Sequence, residues 1–246
     1  MQDEAMMKKL MFLGLILGLS ACQKDKDENV IRVGLSADYP PFEYMEKGKL
    51  VGFDVDLAEH IGKELNMKIE FKEMSFNSLI PALQKDHIDI VMAGMTATEE
   101  RLKEIDFSDI YFNDQLAYIF RKDKQVDSLE NHSMGVQLSS TMEVWAKKKF
   151  GDAANIVPLD SNNMLVEALK TGKIDTVIIS EPQAKAFTKA NPNLDYKIIG
   201  FIDNGCGIAM RKQSPLKEKI NVALKNLKEK KVMDELIKKW IDTNVQ

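Results

Sequence analysis

The chain of 246 residues is 44% hydrophobic and 29% charged, a composition that suits a globular protein with enough apolar side chains for one or two cores. Its formal net charge is −4 and it has no long basic run, which argues against nucleic-acid binding because phosphates are neutralised by clustered lysine and arginine side chains. The expected partners are therefore small molecules or proteins.

The first residues carry the pattern of an export signal. An apolar run over 10–19 follows Lys8 and Lys9, and small residues lead from it to Cys22. This pattern predicts a secretory signal peptide over 1–21, since the run is shorter than the roughly 20 residues that a membrane-spanning helix needs. A cysteine directly after such a segment resembles the bacterial lipobox, in which it becomes the lipid-modified first residue. We therefore expect Cys22 to anchor the protein in the cell envelope, in the periplasm or on the outer face of the cytoplasmic membrane.

The next segment, 22–29, is polar and predicts a solvated tether between anchor and fold. The chain has two cysteines, so a lipid on Cys22 leaves Cys206 without a disulfide partner. Cys206 lies in an apolar stretch, which favours core packing over a nucleophilic role.

Beyond the tether, short β-branched runs alternate with amphipathic helical stretches. The predicted strands are 31–35, 69–71, 88–93, 134–138, 174–179 and 208–210, and the predicted helices are 55–65, 79–84, a short one that opens at 98, 142–150, 163–170, 183–190 and two in the tail 215–242. Asp54 is the predicted N-cap of the first helix. The alternation implies α/β layers with largely parallel sheets, and two series of about 90 residues each predict two lobes.

Several motifs occur in the order seen in one known family. They are IRVG at 31–34, YPPFE at 39–43, VGFDVDLA at 51–58, FNSLIPAL at 76–83, IDIVMAGMTATEER at 88–101, IDFS at 105–108, GVQLSST at 135–141, IDTVIISEP at 174–182 and GCGIA at 205–209. Together they resemble the bacterial family 3 solute-binding proteins, the amino-acid receptors of ABC importers, over nearly all of residues 31–241.

The resemblance implies a two-lobed periplasmic binding protein fold of type II, an α/β fold. Each lobe would be a β-sheet flanked by helices, and two strands would form the hinge. By motif, the first lobe would comprise residues 30–114 and 206–246, and the second lobe 115–205. The ligand would bind between the lobes and be enclosed by hinge closure.

The resemblance also assigns groups that would hold an amino-acid zwitterion. Arg101 stands where the family places an arginine on the ligand carboxylate, a role that suits a guanidinium because it binds bidentately and keeps its charge. Gly94, Met95 and Thr96 are expected to line the ligand. The amide and hydroxyl of Thr96 would donate to the carboxylate, and the Gly94 carbonyl would accept from the ammonium. Read alone, Thr96 also fits a capping box with Glu99.

The second lobe and two aromatic residues would complete the site. Thr141, preceded by Ser140, would open the first helix of the second lobe, where backbone N–H groups offer a site for the same carboxylate. Tyr39 and Phe76 occupy the aromatic positions that flank the ligand side chain in the family. As isolated residues, both also fit ordinary core packing.

Two positions depart from the family pattern. The family usually has an acid at position 180, where it binds the ligand ammonium, whereas Ser180 is neutral and Glu181 follows it. Either Glu181 binds the ammonium, or a serine and carbonyl groups hold it alone. Ser36 stands where many relatives have an acid or amide that faces the ligand side chain, and Asp38 could replace it if the loop shifts.

The expected ligand is a cationic amino acid, arginine ahead of lysine. The two aromatic residues could enclose an alkyl stem and stabilise a cation at its tip. Asp38 and Glu43 add negative charge near the mouth of the first lobe, and Gln137 supplies an acceptor for a guanidinium. A neutral polar ligand such as glutamine is the alternative, since Ser36 and Gln137 provide the donors and acceptors that it would need.

No metal or cofactor is expected, because His60, His87 and His132 lack metal-ligand spacing and nucleotide-binding motifs are absent. The expected partners are an amino acid, the membrane permease of an ABC importer and the membrane itself through the lipid anchor, and the protein is expected to be a monomer. A transport receptor is favoured over an enzyme similar to cyclohexadienyl dehydratases, which share the fold. Such an enzyme needs acid–base carboxylates in the cleft, and Glu181 is the one candidate.

Overall fold

The computed structural model describes residues 29–124, 126–151, 154–201 and 204–242. The predicted signal peptide, Cys22 and most of the predicted tether lie outside the described residues. Within these ranges, no helix combines the length and the apolar character that crossing a membrane requires.

A mixed sheet forms the centre of the first lobe. Its strands, in spatial order, are β5 (Lys68–Glu73), β1 (Val30–Leu35), β6 (Ile90–Val91), β13 (Cys206–Arg211) and β7 (Ile105–Phe112). β1 is parallel to β5 and β6, whereas β13 runs antiparallel to β6 and β7. Ile31, Val33 and Leu35 of β1 are fully buried, as their predicted alternation requires.

A second sheet forms the centre of the other lobe. Its strands, in spatial order, are β10 (Ile156–Leu159), β9 (Met134–Gln137), β11 (Thr176–Ser180), β8 (Gln115–Arg121) and β12 (Leu194–Phe201). β9 is parallel to β10 and β11, and β8 is antiparallel to β11 and β12. A small antiparallel sheet consists of β2 (Asp38–Tyr39), β3 (Glu43–Glu46) and β4 (Lys49–Val51).

Helices cover both faces of each large sheet. In the described part of the chain they are α1 (Phe53–Leu65), α2 (Phe76–Gln84), α3 (Glu99–Glu104), α4 (Thr141–Phe150), α5 (Asn162–Lys170), α6 (Glu181–Ala190), α7 (Leu216–Glu229) and α8 (Val232–Trp240), with a 3₁₀ turn at Leu129–Asn131. Helices α1, α7 and α8 pack on one face of the first sheet and α2 on the other. Helices α5 and α6 pack on one face of the second sheet and α4 on the other.

The chain passes between the two sheets twice. The first crossing, 113–114, joins β7 to β8, and the second joins β12 to β13. Cys206 pairs with Phe112, and Phe201 pairs with Gln115, so the two crossings run side by side. A cleft therefore separates two lobes that are connected by adjacent strands.

Some local predictions are wrong. Asp54 is not the N-cap of α1, which begins at Phe53 after Gly52. Asp54 is fully buried and accepts hydrogen bonds from the Gly94 backbone N–H (3.0 Å) and the Tyr111 hydroxyl (2.9 Å). The sequence pattern also predicts no strand at β7, β8, β10 or β12. β10 and β12 are edge strands with little burial, so their apolar pattern is weak.

Candidate ligand-binding site

Residues of both lobes meet at the cleft. The Arg101 Nη2 group of the first lobe donates a hydrogen bond to the Ser139 carbonyl oxygen of the second (3.0 Å). The Asn162 backbone N–H at the start of α5 donates to Asp38 Oδ2 in the first lobe (2.6 Å). The first contact joins the predicted carboxylate clamp to the residue before the N-cap of α4, and the second joins the first lobe to the start of α5.

Arg101 lies on α3 with its guanidinium in the cleft. Its Nη1 group donates to the Thr96 carbonyl oxygen (3.0 Å), and Cζ lies 5.4 Å from the centroid of the Phe76 ring. No carboxylate in the described ranges forms an ion pair with it. Burial lowers the pKa of Arg101 to about 10, which is still well above neutral pH, so the guanidinium carries its charge. The residue is only partly buried. A cation held by carbonyl groups and an aromatic face can bind an anion.

The turn before α3 positions Arg101. Thr98 is the N-cap, and its hydroxyl accepts from the Arg101 backbone N–H (3.2 Å). The capping box of Thr96 with Glu99, one of the two interpretations of Thr96, is therefore wrong. The carbonyl oxygen of buried Thr96 accepts from the Thr98 backbone N–H (3.0 Å) as well as from Arg101.

Helix α4 begins at the cleft with side-chain hydrogen bonds around its N-cap, Ser140. The Ser140 hydroxyl accepts from the Glu143 backbone N–H (3.2 Å), and the Glu143 carboxylate accepts from the Ser139 backbone N–H (2.7 Å). Ser139 has a φ of 63°, and its carbonyl oxygen accepts from Arg101. Thr141 is the first residue of the helix, as the sequence predicts. The N-terminus of α4 thus lies beside the Arg101 guanidinium.

The two aromatic residues stand in the first lobe. Phe76 begins α2 and lies under the Arg101 guanidinium. Tyr39 packs on Gly94, whose φ is 53°, and a Cβ added to Gly94 would lie 2.7 Å from Tyr39 Cε1. Both rings are more than nine-tenths buried and belong to core clusters, so they do pack in the core. Their contact with a ligand side chain stays a prediction.

The predicted charges near the mouth have different environments. The Ser36 hydroxyl donates to Asp38 Oδ1 (3.0 Å), while Asp38 Oδ2 accepts from Asn162, so both carboxylate oxygens have protein partners. The prediction for Glu43 is wrong. Its side chain is fully buried in the first lobe near Asp54, and neither of its carboxyl oxygens has a hydrogen-bond partner in the described structure. Tyr39 and Phe42 precede it in a buried motif, which places its strand against the core.

The polar residues of the second lobe differ in how far their hydrogen bonds are satisfied. Gln137 ends β9, and its buried Nε2 atom has no hydrogen-bond partner in the described structure. The Ser180 hydroxyl at the start of α6 is fully buried and also lacks a partner within those ranges. Glu181, in contrast, forms an ion pair with Lys185 on the same helix (2.5 Å).

Comparison with known proteins identifies the family of this two-lobed chain. The family model described as "Bacterial extracellular solute-binding proteins, family 3" matches residues 31–243. The chain belongs to this family. The predicted resemblance and the two-lobed fold are thereby confirmed.

Similar proteins cover almost the whole length of this family 3 protein. The arginine-binding extracellular protein ArtP of Bacillus subtilis (strain 168) is 36% identical over 235 residues, which cover 91% of this chain and 90% of that protein. An ancestral arginine-binding protein bound to glutamine has a TM-score of 0.83 and 41% identity, covering 87% of this chain and 99% of that one. An ancestral arginine-binding protein bound to arginine has a TM-score of 0.80 and 43% identity, covering 86% of this chain and 98% of that one.

Two residues of this family 3 site were not predicted. Ser139 contacts Arg101 through its carbonyl oxygen, and it lies in the motif at 135–141, from which only its neighbours were predicted as site residues. Asp114 lies on the first crossing and is buried next to Ser180. A charged residue between two strands is usually an exposed turn residue, so its burial had no signal in the sequence.

Two further residues of the predicted site segments are packed in the first lobe. Met95 is fully buried in an apolar cluster, and its carbonyl oxygen accepts from the Gly207 backbone N–H (3.1 Å). Its side chain packs in the core of the first lobe, and its contact with a ligand stays a prediction. Cys206 is buried, as its apolar surroundings predict, and its Sγ donates to the Gly94 carbonyl oxygen (3.3 Å).

One cavity lies away from the cleft. A cavity of about 590 Å³ lies between β7, α7 and α8, and none of the predicted site residues lines it. The described ranges contain no group of three or more side chains that could hold a metal ion.

Proposed function

We propose that this chain is the extracytoplasmic receptor of an ABC importer and that it binds a cationic amino acid, arginine ahead of lysine, by closure of its lobes. The observation that carries the proposal is the environment of Arg101. Its charged guanidinium bonds one carbonyl oxygen from each lobe and has no carboxylate partner in the described ranges. An α-carboxylate fits this site because it can accept two parallel hydrogen bonds from the guanidinium.

The remaining donors for that carboxylate would come from both lobes. We assign them to the Thr96 amide and hydroxyl and to the Thr141 backbone N–H, with Ser140 holding the helix start. A ligand bound to both lobes has higher affinity for the closed form than for the open form, which is the requirement for closure. We propose lobe boundaries at 30–114 with 206–246, and at 115–205, because the chain crosses between the sheets there.

Two observations support a cationic ligand. Phe76 and Tyr39 present aromatic surface, and Phe76 already lies under one guanidinium. The similar proteins include one named as arginine-binding, at 36% identity, and an ancestral arginine-binding protein bound to arginine, at 43%.

Glutamine is the second candidate, and one observation favours it. The Gln137 amide has an unpartnered buried end within the described structure. Because amide flips exchange nitrogen and oxygen, this end could donate to a carboxamide or accept from a guanidinium. An ancestral arginine-binding protein has been solved with glutamine bound, and it is 41% identical to this chain.

Titration calorimetry of ligand-free protein with arginine, lysine, histidine and glutamine tests the proposal. We expect saturable binding of arginine, weaker binding of lysine and still weaker binding of glutamine. Micromolar binding of glutamine without binding of arginine would make the cationic assignment wrong. If no amino acid binds, the receptor proposal fails.

The enzyme hypothesis has less support. The family is described as one of solute-binding proteins, and the ion pair of Glu181 with Lys185 engages the carboxylate that the sequence indicates as an acid–base candidate. Incubation with arogenate followed by product analysis distinguishes the two, since turnover would favour the enzyme.

We also propose that Cys22 carries a lipid, that the protein works as a monomer and that it delivers its ligand to a membrane permease. The apolar run before Cys22 supports the lipid, although this segment lies outside the described residues. Mass spectrometry of the mature protein should find an acylated N-terminal Cys22. A mature N-terminus elsewhere, with a free Cys22 thiol, would contradict the anchor.

A further inference from the structure

Asp114 is a buried acid without a basic partner. It lies on the first crossing, is 6% exposed and forms no ion pair with a lysine or arginine in the described ranges. Its Oδ1 atom accepts from the Gln115 backbone N–H (2.7 Å). Buried carboxylates normally have a cation close by, because their removal from water is strongly unfavourable. The position therefore requires an explanation.

The carboxyl group of Asp114 lies beside Ser180. In the ladder of β8 and β11, Leu116 pairs with Ser180, which brings the first crossing next to the start of α6. The Asp114 carboxyl lies near the Ser180 hydroxyl and the Glu181 backbone N–H. The Ser180 hydroxyl also lies close to the Tyr39 hydroxyl, but its oxygen forms no hydrogen bond of good geometry in the described structure.

A neutral acceptor lies at the same corner of the cleft. The Gly94 carbonyl oxygen is within 3.3 Å of Cys206 Sγ, and the Tyr39 ring packs on Gly94. Burial and then the nearby Asp114 carboxyl raise the pKa of the Cys206 thiol. The Asp114 carboxyl, the Ser180 hydroxyl and the Gly94 carbonyl therefore converge on one place.

We propose that Asp114 is the acid that binds the α-ammonium of the ligand, with Ser180 and the Gly94 carbonyl as neutral acceptors. The inference rests on the proposed function and deepens it. By resemblance an acid is expected at position 180, and here Asp114 supplies a carboxylate to that place from a different strand. Glu181 is less suited, because Lys185 already neutralises it.

Proton linkage gives the proposal a second readout. Burial raises the pKa of the Asp114 carboxyl to about 7. The titratable groups that face it are Glu181 from α6, Tyr39 from β2 and Cys206 from β13. An ammonium placed against Asp114 favours the carboxylate, so ligand binding at about pH 6.5 should release protons.

The test compares arginine with its deaminated analogue, δ-guanidinovaleric acid, by titration calorimetry. The analogue keeps the carboxylate and the guanidinium and lacks the ammonium. We expect Asp114→Asn to weaken arginine binding on the order of 100-fold and analogue binding only a few-fold, because only arginine loses an ion pair. The proton release measured in buffers of different ionisation enthalpy should disappear in this variant.

Two further variants sharpen the test. Asp109→Asn removes an exposed acid from β7 and should leave both affinities unchanged. Asp114→Asn combined with Ser180→Asp returns a carboxylate to the same corner and should restore most of the arginine affinity. Thermal melts of each unliganded variant verify that it is folded.

Several outcomes would overturn the assignment. One is that Asp114→Asn weakens the binding of arginine and of the analogue equally, or weakens neither. Another is that Glu181→Gln, and not Asp114→Asn, weakens arginine binding selectively. If the wild type prefers glutamine, the same comparison with deaminated glutamine keeps the test valid, since every amino acid carries the α-ammonium. Binding of no amino acid at all would remove the proposed function and this inference together.

Discussion

Arg101 combines a fixed charge with a fixed geometry, and each can be removed separately. Arg101→Ala should abolish measurable binding of arginine, because loss of one partner from a buried charged contact costs roughly 3–5 kcal/mol. Arg101→Lys keeps the charge but loses the planar fork that bonds Thr96 and Ser139, so its affinity should be intermediate. Calorimetry on the wild type, Arg101→Ala and Arg101→Lys measures the effect of losing the charge and the effect of losing the planar fork.

A control separates this effect from a general loss of positive charge. Arg211→Ala removes a half-exposed arginine that is paired with Asp86 (3.0 Å), and its affinity should match the wild type. An Arg101→Ala variant that binds arginine within a few-fold of the wild type would refute the clamp.

Single residues were predictable from the sequence where their role is local. The motif around Arg101 predicts a site, and Thr141 is predicted to open its helix, and both depend on neighbours in the chain. Glu43 and Asp114 were not predictable, because their burial depends on strands that are distant in sequence. Asp54, which lies near Glu43, and Ser180, which lies near Asp114, come from other elements.

At the scale of elements, the Asp38 carboxylate links the first lobe to the N-terminus of α5. The contact to the Asn162 backbone N–H is 2.6 Å long and buried, and a carboxylate there is stabilised by the helix dipole. Asp38→Ala should weaken arginine and glutamine by a similar factor, roughly 5- to 30-fold, because a charge-assisted hydrogen bond of the closed form is lost with either ligand.

The ratio of the two affinities is the deciding measurement. A role for Asp38 in binding the ligand cation, as expected from sequence, requires that arginine alone loses affinity. Asp160→Ala is a matched control, since Asp160 is exposed and lies two residues before Asn162. A selective loss of arginine would therefore contradict the lobe-to-lobe role.

The elements themselves were predicted best where they are long and amphipathic. The tail helices α7 and α8 follow their apolar spacing closely. Edge strand β10 contains Pro158 and is only partly buried, so its alternation is lost. The antiparallel placement of β13 and β8 depends on the two crossings and could not be derived from any local pattern.

At the scale of the whole molecule, three buried acids should make the unliganded protein less stable as pH rises. Burial raises the pKa of Asp54 to about 6, that of Asp114 to about 7 and that of Glu43 well above its ordinary value. The folded chain then holds protons that the unfolded chain has released. This stabilisation is complete below about pH 4 and is lost as pH rises through the folded-state pKa values, a loss on the order of 3 kcal/mol for Asp54.

Thermal melts between about pH 5 and pH 8 test this linkage. Glu43→Gln removes one of the three acids, so its melting temperature should fall less with pH than that of the wild type. Glu46→Gln changes an exposed acid of the same strand and should keep the wild-type slope. A Glu43→Gln slope equal to that of the wild type would contradict the prediction.

Asp175 acts in a different pH range. Burial opposes its ionisation, but hydrogen bonds from Lys124 and Ser133 prevail and lower its pKa to about 2. Its contribution is therefore present above about pH 4 and is lost only as pH falls toward 2. Asp175 therefore does not contribute to the loss of stability expected between pH 5 and pH 8.

Gly94 and Gln137 differ in how far substitution is possible when selection favours a new ligand. With a φ of 53° and the Tyr39 ring in contact, any side chain at Gly94 would strain the backbone and displace the aromatic wall. Gln137 has no such restriction, because its backbone lies in an ordinary strand and its amide end is unpartnered within the described structure. Evolutionary drift, or a designed library for biosensors, can therefore change the side-chain preference through Gln137 while recognition of the amino-acid backbone is inherited unchanged.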